Sequence, residues 1–309
     1  MKNVRTICFA ALVLFLCASS GSYGTIQFRD GLTHNINYWI GDDVLADYQT
    51  PYMYTTVNWL AGGRIYEPYE LYGYENSRIN VRGGSIWWIR SYDSSHVNMS
   101  GGSIGERLYS YDSSQVDISG GSISGALVSC DSSQINISGG WIEWLISIDS
   151  SQVNISGGWV DWLLTIFDSS KVGISGGSIN GLNSRDSSKV DISGGSIRGP
   201  LHSGGSSRVD ISGGSIGDDL ELLDESMIQI FGSDFAVDGL AVGYGEITNI
   251  LGGDPWDEPY RRLTGTLLSG ELIDTGFYIG HDARIILIPE PATITLLGIG
   301  GLVLRKRHR

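Results

Sequence analysis

Between Asp93 and Gly232 the chain repeats one phrase, Asp-Ser-Ser-x-Val-x-Ile-Ser-Gly-Gly-Ser-Ile, followed by a variable stretch ending in Leu-x-Ser-x. The first glycine of each pair falls at Gly83, Gly101, Gly120, Gly139, Gly157, Gly176, Gly194 and Gly213, with a degenerate copy at Gly232. The step is therefore 18 or 19 residues throughout. A unit this short cannot bury its own apolar face, so its copies must stack into a solenoid around one continuous core.

Each repeat has a constant and a variable half. In the constant half Val97 and Met99, Val116 and Ile118, and Ile135 and Ile137 alternate with polar residues, the period-two mark of a strand with one buried face. Gly-Gly then gives a sharp corner where a side chain would clash or φ must be positive. A buried Ile follows (Ile104, Ile123, Ile142), and after it a buried Leu (Leu108, Leu127, Leu145). The length variation sits between those two, which are three or four residues apart, so one face tolerates a bulge. A left-handed hexapeptide helix would need three six-residue faces of uniform length. The pattern predicts an all-β chain, a right-handed parallel β-helix of about ten 18–19-residue coils, roughly 50 Å long at ~4.8 Å per coil.

The expected organisation is a secretory signal over 1–24 and an N-terminal cap with degenerate coils over 25–76. β-Helix repeats follow over 77–233, a C-terminal cap over 234–288 and a sorting tail over 289–309. The signal is read from Lys2 and Arg5, the apolar run Ile7–Cys17 and the small residues after it. Aromatic, irregular residues 25–76 suit a solenoid end, because an open end exposes unpaired strand. The stretch Gly252–Pro259, with Asp254, Asp257 and Glu258, reads as a loop rather than a metal site.

Formal net charge is −14, from 20 basic and 34 acidic residues; without residues 1–24 and 291–309 the balance is 14 against 34, or −20. Such a surface repels nucleic acid and anionic lipid. Cys8 and Cys17 lie in the signal, which leaves Cys130 without a disulfide partner. Its column neighbours Tyr111 and Ile148 predict a packed apolar thiol. Stacking also aligns Asp93, Asp112, Asp131, Asp149, Asp168 and Asp186. Each is expected to close an Asx turn by accepting from the serine backbone that follows, rather than to chelate calcium. The Asn-x-Ser triplets at Asn98, Asn136 and Asn154 arise from the repeat itself. No metal and no cofactor is called for.

Pro289-Glu290-Pro291 is followed by the apolar run Ala292–Leu304 and then Arg305, Lys306, Arg307, His308 and Arg309. In this order, behind an N-terminal signal, these parts closely resemble the PEP-CTERM sorting signal of Gram-negative bacteria. The resemblance covers residues 289–309 only. It implies transient anchoring in the inner membrane, cleavage near the triplet by an exosortase-type transpeptidase, and delivery to the cell surface or exopolysaccharide matrix. The Gly-Gly-x-Ile coils and Leu263-Thr-Gly-Thr-Leu267 also look like exported planctomycete-type repeat proteins, a resemblance that implies no activity.

One outward patch carries chemistry. Trp141, Glu143 and Trp144 in one coil, and Trp159, Asp161 and Trp162 in the next, stand at equivalent places in the repeat. Indoles pack on pyranose C–H groups while carboxylates accept hydroxyls, so this is a candidate carbohydrate platform. An aromatic ladder shielding the sheet is the structural alternative. Glu143 and Asp161 are also the only nominees for the acid pair of a polysaccharide lyase or hydrolase. No Lys, Arg or His is expected in their columns, and Arg107 lies two coils away. The expectation is a structural or interaction protein of the surface or matrix, not an enzyme, with polysaccharide-active enzyme as the alternative.

Overall fold

The computed structural model describes residues 25–47, 55–247 and 261–290, and every regular element among them is a strand. The predicted signal, the Gly252–Pro259 loop and residues 291–309 of the tail lie outside the described residues. No helix among the described residues is long and apolar enough to cross a membrane.

In chain order the strands begin with β1 Ile26–Phe28, β2 Thr33–Ile36, β3 Trp39–Ile40, β4 Val44–Ala46, β5 Thr56–Trp59 and β6 Arg64–Gly73. Then come β7 Arg78–Ser91, β8 His96–Ser110, β9 Gln115–Ser129, β10 Gln134–Ser147 and β11 Gln152–Ile166, each running through a whole repeat. Later repeats split in two: β12 Lys171–Ile179 with β13 Leu182–Ser184, β14 Lys189–Ile197 with β15 Leu201–Ser203, and β16 Arg208–Ile216 with β17 Leu220–Leu222. The chain closes with β18 Met227–Val237, β19 Leu240–Ala241, β20 Gly245–Ile247, β21 Arg261–Leu267, β22 Leu272–Ile279 and β23 Arg284–Pro289.

The repeat strands β7 to β18 pair in parallel with their equivalents one repeat away, as Val97 with Val116, Ile135 with Val153 and Val190 with Val209. The result is a parallel β-helix of about ten turns, as the repeat predicts. Residues 33–46 and 56–73 supply two coils before the regular repeats, with β1 laid along β4. At the other end β19, β20 and β21 pair antiparallel with β18 and β23, while β22 and β23 continue the parallel stack. Pro289, the first residue of the Pro-Glu-Pro triplet, ends β23 opposite Gly232.

The Val, Ile and Leu columns named above are buried, and side chains of this kind contribute roughly 1.5–3 kcal/mol each on leaving water. The corner explains both glycines of a pair. Gly158 has φ +82°, and a Cβ on Gly157 would lie 2.4 Å from the Ser138 carbonyl oxygen of the coil before. The strands can keep their spacing only if neither residue has a side chain.

Two hydrogen-bonded columns go beyond what the repeat pattern predicts. Ser91 and Ser95, Ser110 and Ser114, Ser129 and Ser133, Ser147 and Ser151 point inward, fully buried, with Oγ···Oγ separations of 2.6–2.8 Å. Each hydroxyl satisfies another where water is excluded, as a buried polar group requires. Where Gly73 stands in place of the first serine, the Ser77 Oγ is buried without a partner. On the outer surface, Asn58 donates to Asn35, Asn80 to Asn58 and Asn98 to Asn80 at 2.8–3.1 Å. Asn136 and Asn154 extend this ladder beyond Asp117.

The aspartate column needs a correction. Its residues sit at positive φ, from 55° to 61°, which Asp tolerates better than most side chains. The carboxylate does not bond the serine that follows. The Oδ2 of Asp112 accepts from the backbone N–H of Asp93, Asp131 from Asp112 and Asp149 from Asp131, each at 3.1 Å. The turn itself is closed by backbone, Ser95 N–H to the Tyr92 carbonyl. Facing carboxylates are thus each held on a backbone donor of the preceding coil, which offsets their mutual repulsion.

Cys130 is packed, 7% exposed, between Tyr111 and Ile148. Burial first, then Asp131 and Asp149, push its thiol up to about 12, so it stays protonated and inert.

Candidate functional site

The nominated residues lie on β10 and β11. Ile142 and Leu145 in β10, and Val160 and Leu164 in β11, turn into the core, which leaves the residues beside them facing out. Trp141 pairs with Trp159 across the coils, and Ile142 with Val160. Glu143 and Asp161 therefore follow a matched pair and lie one coil apart, about 4.8 Å along the axis. Trp141 and Trp144 are half-buried, whereas Trp159 and Trp162 are 42% and 58% exposed.

Trp144 and Trp162 are not equivalent in the stack. The partner of Trp144 is Leu163, and that of Leu145 is Leu164, because β11 holds one more residue between its buried Val and Leu. The extra residue bulges outward and carries Trp162 with it. Its ring still returns over Trp144, at 5.4 Å between centroids and 23° between planes. This stack, and not the Trp141–Trp159 pair, forms the aromatic platform.

The columns also hold a base. Ile179 pairs with Val160 and with Ile197, so Asn180 and then Arg198 follow Asp161 in the column of Glu143. The repeat places Arg198 there directly, one residue after the buried Ile of its coil. Its guanidinium lies 5.1 Å from the Trp159 ring centroid, a cation–π arrangement that occupies one face of that indole. Glu143 and Asp161 have no protein hydrogen bond or ion pair among the described residues. Two unpartnered carboxylates thus flank a stacked indole pair with an open outer face. Such a surface can pack on a ring, accept hydroxyls and attract a cation.

A second aromatic cluster, on the first coils of the same face, is closed on itself. Trp88, Arg107, Ala126 and Trp144 share a column. Arg90 lies over Trp88 and Tyr109 while paired with Glu70. Arg107 donates to the Tyr109 hydroxyl at 2.8 Å. Tyr74, Tyr92 and Tyr111 stack in succession at 5.0 and 4.9 Å. Their partners are one another, which makes this the shielding ladder of the first coils. Beyond Leu163 a cleft of about 460 Å³ opens where Gly204 and Gly205 replace larger residues, rimmed by Arg185, His202 and Asp224. The His202 Nδ1 is held by Glu221 at 2.6 Å. Among the described residues no cluster of His, Cys, Asp and Glu has the form of a metal site.

No family model, no curated protein and no solved structure matches the chain.

Proposed function

We propose that the chain is an exported β-solenoid of the cell surface or matrix that binds carbohydrate through the platform on β10 and β11. The observation that carries this reading is the Trp144–Trp162 stack, with Trp162 58% exposed and the carboxylates of Glu143 and Asp161 beside it. A solvent-facing indole pair costs apolar hydration unless something covers it, and a pyranose face is a suitable cover. Export and sorting rest on the sequence of the two ends, from Lys2 to Gly24 and from Pro289 to Arg309. In this reading an exosortase-type enzyme recognises the tail and an exopolysaccharide is the partner.

A glycan array with the wild type and a Trp144→Ala/Trp162→Ala double variant tests the platform. Binding lost in the variant supports it; binding retained places the site elsewhere; no binding by either leaves a structural rod. Turnover of a bound polysaccharide, abolished by Glu143→Gln or Asp161→Asn, would move the site to the enzymatic alternative. Export is tested by cell fractionation of chains with and without residues 289–309. Retention of both at the same place would remove the sorting role.

A further inference from the structure

Resting on that carbohydrate reading, we propose that the platform is specific for a cationic glycan, a polymer of 2-amino-2-deoxyhexose whose amines are free. Glu143 and Asp161 stand one coil apart beside the indoles, with no protein cation on either among the described residues. The nearby arginines are engaged elsewhere. Arg198 lies over Trp159, Arg107 is hydrogen-bonded to Tyr109, and Arg90 is paired with Glu70.

A neutral sugar seated on Trp144 and Trp162 would strip water from two carboxylates and return only hydroxyl hydrogen bonds. An acidic sugar would add like-charge repulsion. An ammonium group answers both carboxylates with charge-assisted hydrogen bonds and is attracted to the indole face as well. The protein already holds one cation this way, with the Arg198 guanidinium 5.1 Å from Trp159 on the same strip. The surrounding field has the matching sign. Net charge is −14, and the exposed column of Asp93, Asp112, Asp131, Asp149 and Asp168 runs along the same solenoid. Such a field steers cationic ligands inward and weakens with salt.

The test uses two ligands with one sugar backbone, glucosamine hexamer with free amines and its fully N-acetylated, uncharged counterpart, titrated by calorimetry at a pH where the amines are protonated. The free-amine hexamer is expected to bind roughly tenfold tighter or better. Glu143→Gln/Asp161→Asn should erase that preference and leave binding of the acetylated hexamer in place, whereas Trp162→Ala should weaken both. A control variant, Asp93→Asn/Asp112→Asn, should keep the preference, which separates the site from diffuse surface charge. Equal or tighter binding of the acetylated hexamer overturns the amine specificity while the carbohydrate reading stands. Loss of preference in the control but not in Glu143→Gln/Asp161→Asn overturns it too. Failure of both hexamers to bind, with no neutral or acidic glycan bound on the array, overturns both readings.

Discussion

Adding a single methyl group should have opposite effects at two glycines that the repeat places only 16 residues apart. At Gly157 an added Cβ would lie 2.4 Å from the Ser138 carbonyl oxygen and 3.0 Å from its carbonyl carbon. A carbon normally approaches such an oxygen no closer than roughly 3.3 Å. Coils β10 and β11 would have to part by most of an ångström at the corner, against the hydrogen bonds on either side. Overpacking of this kind costs about 2–3 kcal/mol. At Gly173, on an outward position of β12, the nearest atom is the Asn154 Oδ1 at 3.4 Å, an ordinary contact, and φ is not positive. Ala there removes unfolded-chain entropy and should stabilise by about 0.5–1 kcal/mol. The two variants should differ by about 3 kcal/mol, or roughly 5 °C in Tm at ~2.1 cal/mol/K of unfolding entropy per residue. Far-UV circular dichroism melts of Gly157→Ala and Gly173→Ala measure the gap. Melting of the two within about 2 °C of each other would refute the claim that close coil contact dictates the first glycine of each pair.

Three further outcomes follow from the columns. Gly73→Ser should give the orphaned Ser77 Oγ the partner that other coils provide and raise stability by about 1 kcal/mol, read as a higher urea midpoint. Asp131→Asn, which keeps the acceptor and tolerates positive φ, should melt close to wild type, while Asp131→Ala should lose about 1–2 kcal/mol. The Cys130 thiol, raised in the folded state from 9.0 to about 12, should resist iodoacetamide at pH 8 until the chain unfolds, as read by mass spectrometry of its peptide. The sign of the linkage is fixed by that rise. The contribution is fully present below pH 9 and is lost as pH climbs towards 12, so alkaline unfolding should come at higher pH in Cys130→Ser.

The stacked architecture is legible in the sequence because burial leaves a period. Val116, Ile118, Ile123 and Leu127 are apolar in phase, and their equivalents recur every 18 or 19 residues. The buried serines are hidden by the convention that polar residues face outward. The signal was present all the same: Ser110 lies two residues after Leu108, and Ser95 two before Val97, so strand alternation turns both inward. The bond from the Asp112 carboxylate to the Asp93 N–H joins successive coils, and alignment within one repeat cannot reveal it. The mismatch of Trp144 and Trp162 has another origin, because both stand five residues after the first glycine of their coil. The one extra residue that lengthens the step from 18 to 19 after Gly157 falls between Val160 and Leu164, and only the pairing of Trp144 with Leu163 shows on which side of it Trp162 lies. The place of Arg198 is legible by counting from Gly194, whereas its position over Trp159 is a matter of side-chain direction two coils away.

The most direct test of the carbohydrate-binding account compares two exposed tryptophans on one solenoid. Trp162 belongs to the platform, while Trp39, 64% exposed on β3 at the N-terminal end, does not. Using the best glycan from the array, binding affinity should fall by roughly tenfold or more in Trp162→Ala and stay at the wild-type value in Trp39→Ala. Equal affinities for all three proteins, or equal losses in both variants, would contradict the account.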